Sequence, residues 1–118
     1  MFNNWEELEK SIKGCTKCKL CNGRNNIVFG VGNKNADIMF IGEGPGADED
    51  RIGEPFVGRA GKLMNMAFKA VGLKREDVYI ANIVKCRPPL NRNPQADEAS
   101  ACLNYLRAQV ILVKPKII

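Results

Sequence analysis

Histidine is absent from all 118 residues. Acid–base enzymes working near neutral pH often use one, because imidazole titrates there without perturbation. No apolar run approaches the ~20 residues of a membrane span. The most apolar stretch, Gln109–Val113, is separated from Ile117-Ile118 by Lys114-Pro115-Lys116. The start, Met1-Phe2-Asn3-Asn4-Trp5-Glu6-Glu7, lacks the basic-then-apolar pattern of a secretion signal. The cytoplasm is therefore the expected compartment, with no membrane partner. Neither G-x-G-x-x-G nor a Gly-Lys-Ser/Thr phosphate loop occurs, which argues against a nucleotide-dependent α/β enzyme.

What is present reads as one compact domain: 45% hydrophobic and 26% charged residues fit a globular chain. Eighteen Lys and Arg against thirteen Asp and Glu leave a net charge of +5. That excess is compatible with a polyanion but does not demand one.

Asn4 can cap a helix in which Trp5, Leu8 and Ile12 share a face, with Gly14 ending it. Ile27–Gly32 reads as a short extended segment at a sheet edge. Asp37–Ile41 is an apolar run of strand length, and Asp77–Val84 is a second one. Between them lie a loop from Ala47 to Gly58 and a helix over Arg59–Val71, with Leu63, Met66, Ala67 and Ala70 as its expected apolar stripe. A helix from Gln95 or Ala96 to Val113 follows, and Lys116-Ile117-Ile118 reads as the first residues of a third strand. This alternation predicts an α/β fold, a parallel sheet flanked by helices. A sheet stopping within its third strand has a bare edge, so the expectation is a truncated domain able to self-associate.

Five cysteines in a chain without a secretion signal point to ligands or reactive thiols before disulfides. Cys15 and Cys18 form a C-x-x-C pair, Cys86 ends the second strand, and Cys102 lies in the last helix. Together they suit a structural tetrathiolate site holding zinc or an iron–sulfur cluster. Zinc sites usually use two C-x-x-C pairs, and the single pair leans toward iron–sulfur. Cys21 extends the pattern to C-x-x-C-x-x-C and can substitute for a neighbour; it is read as the fifth, non-ligand cysteine.

The turn Gly42-Glu43-Gly44-Pro45-Gly46 follows a buried strand, at the sheet end where open α/β folds bind ligands. Gly53-Glu54-Pro55-Phe56-Val57-Gly58 places an aromatic in a loop. Asn82 precedes the basic, proline-stiffened loop Lys85-Cys86-Arg87-Pro88-Pro89-Leu90-Asn91-Arg92-Asn93-Pro94. One side of the sheet thus offers a carboxylate, an aromatic, an amide and several cations.

These blocks, with the cysteine spacing, closely resemble family 4 uracil-DNA glycosylases, from about Cys15 to Ile118. The resemblance implies a three-layer fold and hydrolysis of the uracil–deoxyribose bond on a nucleotide flipped out of DNA. It implies that Glu43 positions or activates water, Phe56 stacks on uracil and Asn82 reads its polar edge. Gly44 and Gly46 would let the backbone close on the nucleotide. Arg59, Lys85, Arg87 and Arg92 would contact phosphates, and Cys15, Cys18, Cys86 and Cys102 would hold a 4Fe–4S cluster. Family members continue into a His-Pro-Ser segment whose histidine stabilises the leaving base. Without a histidine, residues 1–118 are expected to be the N-terminal portion of such a domain, monomeric when whole and excising little uracil alone. The alternative is a non-catalytic iron–sulfur or zinc DNA-binding module associated with a replication protein.

Overall fold

The computed structural model describes residues 2–118. Helix α1 (Trp5–Ile12) begins where the Asn4 side chain accepts the Glu7 N–H at 2.9 Å. Its apolar face is the expected one: Leu8 and Ile12 are buried, and the Trp5 ring packs 5.3 Å from that of Tyr79. In the cysteine-rich segment, a 3-10 turn over Lys19–Asn22 follows Cys18 and contains Cys21, with Leu20 turned inward.

Strand β1 (Val31–Gly32) lies at one edge, β2 (Met39–Gly42) at the other, and β3 (Tyr79–Asn82) between them. β2 and β3 run parallel, in register from Met39 opposite Tyr79 to Gly42 opposite Asn82. β1 is antiparallel to β3, so the sheet is mixed, with its parallel pair as predicted. The pairing continues past the strands through Ile83 N–H to Gly42 O and Val84 N–H to Glu43 O. On the outer side of β2, Ile38 bridges Ile117 in parallel, where the third strand was expected.

Two expectations change. The segment after Gly46 is a helix, α2 (Ala47–Ile52), with Asp48, Glu49 and Asp50 in its first turn and Gly53 in the left-handed conformation behind it. Acidic residues at an N-terminus and a terminal glycine are helix signals. In α3 (Arg59–Val71) the predicted stripe faces solvent: Leu63 is 67% and Met66 69% exposed. Gly61 and Phe68 make the buried face, since the helix meets the Phe56 segment through a glycine where no large side chain fits.

Helix α4 (Ala96–Val113) lies as expected and ends at Lys114 in a left-handed turn before Pro115. Alternation along β3 sorts the layers. Tyr79 and Ala81 pack with Leu106 and Val113 of α4, whereas Val78 and Ile80 pack with Phe68 of α3. Helices α1 and α4 therefore cover one face and α3 the other, giving three layers. Asn82 shares the parity of Ile80 and points toward the α3 side. Among the described residues, no helix is long and apolar enough to cross a membrane.

A buried cation sits between the last helix and the end of β3. Lys85 is 1% exposed, and its ammonium donates to the Asn82 carbonyl at 2.8 Å and to Gln109 Oε1 at 2.6 Å. Gln109 Nε2 in turn donates to Phe29 O and to the Tyr79 hydroxyl. Gln109→Leu would strip the ammonium of its side-chain partner, and breaking a buried polar pair from one side costs about 3–5 kcal/mol. Urea denaturation should show a loss of that order; a change within error would mean that water or another group satisfies Lys85.

Candidate functional site

The carboxyl ends of β2 and β3 open into a pocket with about 880 Å³ of open space. Its walls come from the three loops singled out in the sequence: Glu43, Gly44, Pro45 and Gly46, then Phe56, and then Asn82 with Pro88 and Asn91–Pro94. The structure thus brings together residues as far apart in sequence as Glu43 and Pro94, including the carboxylate, aromatic and amide.

Asn82 is 2% exposed, and its Oδ1 is a buried oxygen without a hydrogen-bond partner among the described residues. Buried acceptors are rarely left alone, because desolvation without a hydrogen bond costs about 1–3 kcal/mol. Next to it lies the edge of the Phe56 ring, and both crowd Gly42. A Cβ there would fall 2.7 Å from Phe56 Cζ and would also overlap Asn82 Oδ1. Glycine at position 42 is what lets the amide and the ring share one corner. Glu43, one residue on, is exposed and makes no ion pair among the described residues.

Phe56 is held through its backbone. Its φ of +53° is strained for a non-glycine residue. Arg75 secures that conformation, donating to Phe56 O at 3.1 Å and to Pro55 O at 3.0 Å. Gly61 supports it from below, since any Cβ there would run into the Phe56 carbonyl. Glu49 joins the first two loops: its carboxylate accepts from Gly46 N–H at 3.0 Å, Val57 N–H at 2.9 Å and Gly58 N–H at 2.7 Å. Glu49 lines the pocket but is committed to these amides, leaving Glu43 as the free carboxylate. Sequence reasoning missed Glu49 and Arg75. The spacing Gly46-x-x-Glu49 was a legible capping signal, whereas nothing local marked Arg75.

Gly44 and Gly46 line the pocket and are also pressed by the protein's own side chains. A Cβ on Gly44 would fall 2.7 Å from Val84 Cγ2, and one on Gly46 would fall 2.9 Å from Glu49 Oε1. Both glycines accommodate the protein's own packing.

The cation assignments divide. Arg59 is exposed at the start of α3, and Arg87 is half-buried with its Nε on Asn91 Oδ1 at 2.9 Å. Lys85 corrects the expectation of a phosphate contact, because its ammonium is enclosed and already bonded. Arg92 borders the pocket but clamps Glu98 with two bonds of 2.8 and 2.7 Å. These bonds hold the Glu98 carboxyl well below its ordinary range, at about 2.

On the α1–α4 side, all five cysteines line a second cavity of about 300 Å³. None is in a disulfide. Tyr105 OH donates to Cys15 Sγ at 3.2 Å, and Arg24 Nη1 to Cys86 Sγ at 3.5 Å. Burial pushes the Cys102 thiol up to about 11, with Lys85 acting the other way. Among the described residues, no three His, Cys, Asp or Glu side chains converge closely enough to hold a metal ion. By donor chemistry the cavity still fits a soft-metal centre: unpaired thiols from three elements, with Arg24 and Lys85 at hand to balance thiolate charge.

A family model described as the uracil DNA glycosylase superfamily matches residues 29–118. The chain is 49% identical over 113 residues to the Type-4 uracil-DNA glycosylase of Thermotoga maritima, covering 96% of this chain and 59% of that protein. It is 50% identical over 118 residues to the Type-4 enzyme of Saccharolobus solfataricus, covering 99% and 55% respectively. A 90-residue match at 38% identity reaches the DNA polymerase of Bacillus phage SP01, covering 75% of this chain and 10% of the polymerase. The chain thus spans little more than half the length of its Type-4 relatives.

Two outcomes test this geometry. In an ordinary helix interior, Gly→Ala stabilises by about 1 kcal/mol. At Gly61 the overlap with Phe56 O reverses the sign, and Gly61→Ala should lose about 1–3 kcal/mol in thermal or urea unfolding; a gain would show that the Phe56 loop is free to move. Glu98 titrates at about 2 when folded against 4.5 ordinarily, so its stabilisation is complete above pH 4.5 and lost as pH falls toward 2. The melting temperature should fall through that window, and Glu98→Gln should be less stable at neutral pH with a flatter acid limb. An unchanged acid limb in Glu98→Gln would rule out this pair as the source.

Proposed function

The chain belongs to the uracil DNA glycosylase superfamily, and on that premise we propose that it supplies the base-reading and water-positioning half of a pocket that excises uracil from DNA. The observation carrying this reading is the unpartnered Oδ1 of Asn82 beside the Phe56 ring. Uracil presents an N–H at N3 and a carbonyl at C4. A primary amide can accept from the first and donate to the second, and the flat ring between them can lie on Phe56. A buried acceptor left open in the free protein is what a flipped base with a matching donor would satisfy.

Glu43 stands at the tip of β2, without an ion pair among the described residues, where it can orient a water toward C1′ of the sugar. In that hydrolysis the C1′–N1 bond breaks with its electron pair leaving on uracil, and the water oxygen bonds C1′. The water's proton passes to Glu43, and uracil is protonated in turn. Charge on the departing base needs a donor, which the residues around Asn82 do not provide beyond the amide itself. Arg59 and Arg87 are proposed phosphate contacts; Arg92 acts first as the clamp on Glu98 and only at its exposed edge toward DNA. Cys15, Cys18, Cys86 and Cys102 are proposed to hold a 4Fe–4S cluster, which when bound supplies a structural tie between the segment after α1, the end of β3 and α4. We place the reaction in the cytoplasm and expect the whole protein to act as a monomer.

A second reading, a non-catalytic DNA module attached to a replication protein, is favoured by one observation: the similarity to part of a phage DNA polymerase. It gives Glu43, Phe56 and Asn82 no joint purpose.

The test compares binding to duplexes that differ only in uracil against thymine. Uracil should be preferred, and Asn82→Ala should abolish the preference without lowering the melting temperature, because the lost oxygen has no partner to leave behind. In the whole protein the same variant should slow excision by roughly a hundredfold or more. Equal binding of both duplexes by wild type would favour the non-catalytic module. These residues alone, incubated with a uracil-containing strand and then alkali, should leave it intact.

A further inference from the structure

The proposed cluster uses four of the five thiols that line the cavity, and the fifth is placed to serve as well. The following inference rests on the metal-centre reading above. We propose that Cys18 and Cys21 compete for one ligand position, so that the cavity can hold its metal centre with either of two thiol sets sharing Cys15, Cys86 and Cys102.

The turn carrying the two thiols makes the exchange geometrically simple. Cys21 N–H bonds Cys18 O at 3.3 Å, closing a tight reversal that brings the two Cα atoms within about 7 Å. Both side chains line the cavity and both are half-buried. The two residues between them pin the turn. Leu20 is 2% exposed in the core shared by α1 and α4, and Lys19 hydrogen-bonds Gln95 and lies 3.8 Å from the Glu98 carboxylate at the start of α4. The pinned turn thus presents both thiols to the same cavity.

The remaining thiols are not interchangeable in this way. Cys86 and Cys102 are buried on β3's extension and on α4, with no neighbouring thiol in their own segments. Cys15 and Cys86 receive hydrogen bonds from Tyr105 and Arg24, which orient them as fixed ligand positions. Cys21 has only the Asn22 amide oxygen at 3.7 Å, a contact weak enough to surrender to a metal.

Alanine substitutions test this without leaving a serine oxygen as a substitute ligand. Wild type, Cys18→Ala, Cys21→Ala, the Cys18→Ala/Cys21→Ala double variant and Cys86→Ala would be reconstituted anaerobically with ferrous iron and sulfide. Iron and sulfide per chain and the electron paramagnetic resonance of the reduced state would be read in each, with circular dichroism confirming the fold. The expectation is wild-type iron in both single Cys18 and Cys21 variants, with different resonance lines, and loss in the double variant to the Cys86→Ala level. Cys18→Ala as empty as Cys86→Ala, with Cys21→Ala full, overturns the exchange and leaves Cys21 a bystander. Loss in both single variants overturns it too. A wild-type protein that takes up no iron defeats the cluster reading separately. The same five proteins titrated with zinc then decide the exchange by zinc per chain, and no zinc in wild type defeats it as well.

Discussion

The buried ammonium of Lys85 is the constraint around which the two sites are arranged. Removing an ammonium from water costs several kcal/mol unless its donors are matched. Here burial lowers its pKa to about 7, and two short bonds, to Asn82 O and Gln109 Oε1, compensate the loss of water. Because one of those bonds goes to the peptide of Asn82, the charge fixes the residue whose side chain enters the pocket. Because the next residue is Cys86, the same node borders the thiol cavity. Moving Lys85 would therefore disturb both the amide proposed to read the base and the proposed ligand set. Gln109 extends the node through Tyr79 and Phe29, so α4, β3 and the segment before β1 meet on one polar chain.

Two carboxylates perform the corresponding task for the loops. Glu49 collects amides from either side of α2 and joins the Glu43 loop to the Phe56 loop. Asp50, the next residue and 1% exposed, accepts from the Asn25 backbone at 2.8 Å and its side chain at 2.7 Å. Asn25 directly follows Arg24, whose guanidinium donates to Cys15 O and Cys86 Sγ. One short helix thus faces the pocket with Glu49 and the cysteine segment with Asp50. Charge-assisted bonds to backbone amides, each stronger than a neutral pair, hold loops that have few apolar contacts of their own.

Much of this was legible because it is written in local patterns. Asn4 before an apolar i, i+4 face gave α1, the apolar runs gave β2 and β3, and their loops gave Glu43, Phe56 and Asn82. What was hidden depends on partners distant in sequence. Lys85 reads as one more cation in a basic loop; only the fold shows Gln109, 24 residues on, waiting inside. The α3 stripe misled because Leu63 and Met66 match helical periodicity, yet the Phe56 backbone approaches so closely that Gly61 must face inward. Periodicity finds an apolar face but does not say which face a neighbour leaves room for. The α2 signals are local as well: three acidic residues follow Gly46, and Gly53 closes the helix.

The Asn82 amide shows why stability and recognition pull apart in this pocket. Its backbone is held by the β2 register and the Lys85 bond, while its Oδ1 has no partner among the described residues. If the amide were there for the fold, a neighbouring donor would satisfy it, as Gln109 satisfies Lys85. Gly42 excludes any side chain that might do so, and the Phe56 ring beside it offers no donor in the ring plane. Holding the backbone rigid while leaving the acceptor open keeps the reorganisation on binding small, so the energy of a new hydrogen bond goes into recognition. The strained φ of Phe56, secured by Arg75, does the same for the stacking surface. The two groups that would read a base are thus preset by residues that never touch it.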